Sequence, residues 1–128
     1  MILSRDDIAE SRSAGVEFSG NSRGAVFACR IHNNAGPGII VTDTAAPAIE
    51  NNLILENGAQ PGSLRPGLSV RSSSRLVIAG NTFAGNGAEA IWLPVAEEAM
   101  IQRNFFPASA NTTEQLKFRI VPLGEGRP

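Results

Sequence analysis

The stretch "GLSVRSSSRLVIAGNTFAGNGAEAIWLP", Gly67–Pro94, and the stretch "GIIVTDTAAPAIENNLILENG", Gly38–Gly58, share few letters. Each nonetheless opens on Gly, continues through alternating apolar residues, and sets two Asn at the same offsets. Laying the chain out from Gly15, Gly38, Gly67 and Ala90, which are 23, 29 and 23 residues apart, extends the match over most of its length. One position after each start stand Val16, Ile39, Leu68 and Ile91; three after, Phe18, Val41, Val70 and Leu93. Further along come the columns Val26, Ile49, Ile78, Ile101 and Ile31, Ile54, Phe83, Phe106. All these positions are apolar in a chain that is 42% hydrophobic. Chance agreement of that kind has odds of roughly one in a million for a given register, so the repeat is real.

Polar columns follow the same register. One holds Cys29, Asn52, Asn81 and Asn104, the other Asn34, Asn57, Asn86 and Ser109. The longer middle period carries six extra residues within "GAQPGSLRPG", a run of turn formers, and the register resumes on both sides of it. Within each period "IIV", "LSV" and "IWL" alternate in the manner of a strand, and two more short strands centre on the Ile49 and Ile54 columns. The many Leu of leucine-rich repeats and the helix formers of helical repeats are missing. Three short strands per period, stacked at about 4.8 Å per coil, make a parallel β-helix. The Asn columns then have two expected duties. Asn suits a tight bend because it tolerates the left-handed conformation, and stacked amides bond one another in a ladder.

Composition bounds the rest. The 128 residues suit one domain, and the net charge of −1 offers no case for nucleic acid or an anionic membrane. No apolar run approaches the length of a membrane span, and "MILSRDD" lacks the pattern of a secretion signal. One cysteine excludes an intramolecular disulfide.

The pattern "GIIV…AIENNLILEN" and "GLSV…LVIAGNTFAGN" resembles the right-handed parallel β-helix repeat shared by pectate lyases, mannuronan C5-epimerases and NosD-like periplasmic proteins. The resemblance implies an all-β, single-stranded, right-handed solenoid of about five coils with an Asn ladder at Asn34, Asn52, Asn57, Asn81, Asn86 and Asn104. It also implies an extracellular, cell-surface or periplasmic setting. The coils occupy residues 15–109. Residues 1–14 read as a partial coil, with Leu3, Asp6, Ile8 and Ser11 in the repeat columns, or as a short capping helix opened by Ser4 and Asp7. Residues 110–121 hold a further strand in "QLKFRIV", and 122–128 form a frayed tail. Neither end carries a convincing cap, so the expectation is a segment of a longer β-helix or end-to-end stacking with neighbouring coils or another chain.

In lyases and epimerases of this fold the sugar cleft lies on the outward face of the first strand of each coil. By register, that face here carries Glu17, Ile40, Ser69 and Trp92 in one row and Ser19, Thr42, Arg71 and Pro94 in the next, with Asp43 at the bend. The ligand-binding candidates are Trp92 as a sugar platform, Arg71 for a uronate or sulfate, and Glu17, Thr42 and Ser69 beside them. Lyase chemistry asks for clustered carboxylates around Ca²⁺ and a base for the proton α to the uronate carboxyl; Arg71 and Asp43 are the nearest approach. No cofactor is expected, and Ca²⁺ enters only under the lyase reading. Cys29 and His32 form C-x-x-H, two ligands short of a zinc site, and one His with two Met supplies no copper set. Cys29 reads as a buried thiol standing in for one ladder member, and His32 as an exposed residue. Asn111 opens a glycosylation sequon. Two functions follow. One is a non-catalytic module that binds polysaccharide or acts as a rigid spacer in a larger protein. The other is part of a lyase or uronate epimerase.

Overall fold

The computed structural model of the protein describes residues 1–62, 64–72, 75–94, 101–107 and 118–121. The chain winds as expected. A leading half coil supplies β1 (Ile2–Ser4) and β2 (Asp7–Ala9). Three full coils follow: β3 (Val16–Phe18), β4 (Ala25–Phe27), β5 (Arg30–His32); β6 (Ile39–Asp43), β7 (Ala48–Glu50), β8 (Leu53–Leu55); and β9 (Leu68–Ser72), β10 (Val77–Ala79), β11 (Thr82–Ala84). A fourth contributes β12 (Ile91–Leu93), β13 (Ile101–Gln102) and a bridge from Thr82 to Phe105, and β14 (Phe118–Ile120) pairs with β12. Strands of one type stack into three parallel sheets, ordered β3-β6-β9-β12-β14, β1-β4-β7-β10-β13 and β2-β5-β8-β11. The rest of the proposed last strand, the tail and the sequon lie outside the described residues.

Register pairing reproduces the repeat columns. Val26 faces Ile49, Ile78 faces Ile101, and Ile31 faces Ile54, which faces Phe83. In a strand only every second side chain enters the lumen, and those at Val26, Ile31, Ile39, Ile49, Ile54, Leu68, Ile78 and Ile91 have no exposed surface. Phe83 and Phe106 continue the third column as stacked rings 5.6 Å apart. Leu3 and Ile8 of the half coil pack against the same core. The six-residue insertion is a closed excursion. Arg65 N–H donates to Gly58 O (2.9 Å) at its neck, and Gly87 N–H then donates to Asn57 O (2.8 Å), restoring the coil-to-coil pattern.

The bends correct one expectation. The left-handed residues are not the ladder Asn but the residues just before them: Arg5, Ala28, Asn51, Gly80 and Arg103 in one column, Glu10, Asn33, Glu56 and Gly85 in the other. Two demands fall on adjacent residues. A positive φ turns the chain, and the next residue drops its side chain beneath the turn. For a non-Gly residue the left-handed conformation costs roughly 1–2 kcal/mol. It is offset here by coil-to-coil bonds from the same residues, such as Asn51 N–H to Ala79 O (2.9 Å) and Glu56 N–H to Ala84 O (2.9 Å).

The ladders are saturated. Asn52 Nδ2 donates to Asn81 Oδ1 (2.9 Å) and to Val26 O (3.0 Å), and Asn81 Oδ1 also accepts from Asn52 N–H (2.9 Å). Asn81 repeats the set with Asn104 Oδ1 and Ile49 O. Asn34, Asn57 and Asn86 do the same on the other bend. Among the described residues no buried side-chain nitrogen or oxygen lacks a partner, which is what makes a polar column tolerable inside a solenoid. Cys29 is buried in the ladder position; its N–H donates to Asn52 Oδ1 (2.9 Å) while its thiol turns to Phe27 O (3.4 Å).

The Gly column has a steric cause. A Cβ at Gly38 would lie 2.8 Å from Asn57 Nδ2 and 2.9 Å from Gly67 O, and Gly15 and Gly67 meet their ladder amides equally closely. In the sequence, the fourth members of the two columns are Ala90 and Ser109, the second of which lies outside the described residues.

Candidate functional site

The outward face of the β3-β6-β9-β12-β14 sheet is where the repeat register places the candidate ligand residues. Strand pairing brings them into line as expected, Glu17 beside Ile40, Ile40 beside Ser69 and Ser69 beside Trp92, and it adds Arg119 beside Trp92. Thr42 pairs with Arg71 in the adjoining row. The register thus delivers a row five coils long. What the side chains do within it differs from the sequence expectation at four positions.

Ser69 is only 3% exposed, although its place in the strand points it away from the lumen. A hydroxymethyl group standing one strand spacing from the larger Ile40 and Trp92 is shadowed by both, so it offers a ligand no surface. Trp92 is half-buried rather than a free platform. Its indole N–H donates to Glu89 Oε1 (2.6 Å), and the Arg119 guanidinium lies 5.1 Å from the ring centroid, in cation–π range. One ring face is thereby occupied by this chain's own cation. Asp43 is committed to the turn. Its Oδ2 accepts from Gly20 N–H (2.8 Å) on the preceding coil, and Asp43 itself adopts a positive φ of 59°. Arg71 stands on the following coil, and no ion pair joins the two among the described residues. Thr42 Oγ1 donates to Phe18 O (3.4 Å), so its hydroxyl too serves the coil.

The exposed polar side chains of this face that make no hydrogen bond or ion pair among the described residues are Ser19, Glu17, Arg71 and Arg119. With Arg119 engaged by Trp92, the uncommitted charges are Glu17 and Arg71. They are two coils apart and of opposite charge. Separated single charges on a flat strand face can hold a polar polymer weakly; they neither cradle a divalent cation nor poise a base. Among the described residues no three His, Cys, Asp or Glu side chains converge.

A denser polar cluster sits elsewhere, on the outer side of the β2-β5-β8-β11 sheet. His32 is not simply exposed: its side chain keeps 18% of its surface, with Nε2 2.6 Å from Asp7 Oδ1 and Nδ1 2.7 Å from Asn33 Oδ1. Asn33 Nδ2 in turn donates to Glu56 Oε1 (3.5 Å). The hydrogen bonds to Asn33 and Asp7 hold the imidazole pKa above its ordinary value of 6.5. The repeat register gave no signal for this contact. It pairs His32 with Ala9, whereas Asp7 reaches the ring along a diagonal. Likewise Glu89, which accepts from the Trp92 indole, stands in no repeat column that would have marked it, whereas Arg119 continues the outward row itself.

No curated protein and no solved structure matches the chain. The family model described as a right-handed β-helix region matches residues 1–106, which is most of the chain and includes every ladder Asn and every coil from β1 to β13. With the parallel stack and both Asn ladders already established, the chain belongs to the right-handed β-helix family.

Proposed function

We propose that this chain is a non-catalytic β-helix module serving as a rigid spacer within a larger secreted or cell-surface protein. The observation that carries this reading is the engagement of the candidate face in its own structure. Asp43 closes a turn, Trp92 is held between Glu89 and Arg119, Thr42 bonds a neighbouring coil, and Ser69 is covered. A lyase or epimerase needs free acid–base groups converging on one sugar ring, and the described part of this face supplies none. A spacer needs resistance to bending and unwinding, which two continuous ladders and three parallel sheets provide.

A second reading, a polysaccharide-binding module, is supported by the exposed Arg71 guanidinium beside the row that carries Trp92. One experiment separates these readings. The protein, Arg71→Ala and Trp92→Ala are applied to an array of neutral, uronic and sulfated polysaccharides, and parallel digests are followed for unsaturated uronate. Neither binding nor product supports the spacer. Uronate binding lost in Arg71→Ala moves the assignment to the binding module. Unsaturated product overturns both in favour of a lyase.

A further inference from the structure

The polar string Asp7–His32–Asn33–Glu56 crosses three successive turns of the solenoid. Asp7 belongs to β2 of the leading half coil, His32 closes β5, Asn33 is the left-handed bend residue after it, and Glu56 is its equivalent one coil on. Both imidazole nitrogens face oxygen. Nε2 meets a carboxylate oxygen at 2.6 Å and Nδ1 meets the Asn33 amide oxygen at 2.7 Å. The orientation of that amide is set by its own Nδ2 donation to Glu56. A neutral imidazole has one N–H and could satisfy only one of the two; the imidazolium donates to both. With both nitrogens occupied, the ring is not free to act as a general base. Its place in the structure is that of a charged tie.

What it ties is specific. The half coil contacts the stack through strand pairing of β1 with β4 and β2 with β5, through Arg5 N–H to Phe27 O (3.2 Å), Glu10 N–H to Asn33 O (3.2 Å) and Arg30 N–H to Asp6 O (2.8 Å), and through Leu3 and Ile8. Its two ladder positions are weak. Asp6 and Ser11 stand where deeper coils have Asn, and Cys29 passes no amide bond back to Asp6. Ser11 keeps its N–H bond to Asn34 Oδ1 (3.0 Å), its carbonyl accepts from Ala35 N–H (2.9 Å), and Asn34 Nδ2 reaches Ile8 O (3.3 Å). With no side-chain amide at Ser11, the amide-to-amide bond is missing. The half coil therefore lacks the amide-to-amide bonds that the inner coils give each other at both bends, and the His32–Asp7 pair adds a side-chain tie across that boundary.

We infer that His32 is a pH-gated latch that holds the leading half coil, residues 1–14, onto the stack while protonated and loosens it on losing its proton. The hydrogen bonds to Asn33 and Asp7 and the charge of Asp7 favour the cation, and they outweigh burial and Arg30 on the same strand, which oppose it. Glu56 from the bend after β8 reaches the ring only through Asn33. Leu55, its neighbour in β8, is neutral, and Glu10 in the bend after β2 makes no hydrogen bond or ion pair with the ring among the described residues. Because the folded imidazole holds its proton more tightly than the unfolded one, the tie is complete below pH 6.5 and is lost as pH rises through the higher folded value. Loosening frees the edges of β4 and β5, and a free parallel edge is a template for another strand.

Amide hydrogen exchange across pH 5 to 9 tests the latch in the full chain. The probe amides are Arg5, Glu10, Ala25 and Arg30, which bond across the half-coil boundary, and the controls are Leu53 and Thr82, which make the equivalent bonds deeper in the stack. After correction for intrinsic rates, protection at the probes is expected to fall roughly two- to fivefold above neutral pH, the range of a partly exposed ion pair, while the controls stay flat. In His32→Gln the probes should be uniformly weak with no pH step. In Asp7→Asn, which keeps the imidazole, the step should move to lower pH. A flat wild-type profile, a step that persists in His32→Gln, or an equal step at the controls would each overturn the inference.

Discussion

The inside and the outside of one sheet obey different rules in this molecule. On the lumen side of β3, β6, β9 and β12 the residues are Val16, Ile39, Leu68 and Ile91, nearly interchangeable. On the outer side of the same strands, at the very next position, stand Glu17, Ile40, Ser69 and Trp92. The difference lies in what each residue touches. An inner residue packs against its counterpart in the next coil, so one choice constrains the next. An outer residue meets solvent or a side chain from anywhere nearby, as Trp92 meets Glu89. Repetition therefore reports scaffold, and any activity of this chain has to be sought where the repetition fails.

Substitutions can break or sharpen that contrast. The largest effect is expected inside, from Asn81→Ala. It strips the acceptor from Asn52 N–H and Nδ2 and the donor from Ile49 O, and should cost about 3 kcal/mol in urea unfolding because buried groups are left unpaired. A value near zero would mean that water replaces the amide and that the ladder is not a stability element. Gly38→Ala comes next, at about 2 kcal/mol, since the added methyl runs into Asn57 and the Gly67 carbonyl. Pairing it with Asn57→Ser should recover part of that loss, reproducing the Ala90–Ser109 combination; strict additivity in the double-mutant cycle would refute the coupling. Cys29→Asn should instead stabilise by about 1 kcal/mol, because an amide there extends the ladder where the thiol interrupts it. A destabilised variant would show that the bend at Ala28 has no room for one. Smallest is Arg71→Ala on the outer face, expected within about 0.5 kcal/mol of the parent in thermal melts. A larger loss would reveal that this guanidinium, too, belongs to the scaffold.

Legibility in the sequence followed the same division. The lumen columns, the place of the insertion and the two Asn columns were readable because stacked coils force equivalent residues into contact, and contact forces likeness. The left-handed residues at the bends were misplaced by one position. Arg5, Ala28, Asn51 and Glu56 tolerate that conformation without forming a chemical column of their own, so only the backbone shows them. The candidate site was the least legible. Ser69 and Trp92 stand on the outer row as read, yet how far each is buried depends on the size and reach of its neighbours, and Glu89, which holds the Trp92 indole, lies outside the register.

Periodicity in this chain determined by itself that it would coil, how many strands each turn holds, which residues fill the lumen and where the polar ladders run. Those features arise from contacts between residues a fixed interval apart, and an interval can be read from one dimension. The tertiary structure alone decided that Asp43 turns back to Gly20 rather than toward Arg71, that Glu89 takes the Trp92 indole N–H, and that Asp7 grips His32 along a diagonal. Each depends on the direction and reach of a side chain on the outer surface, where neighbours are set by geometry in three dimensions rather than by the repeat.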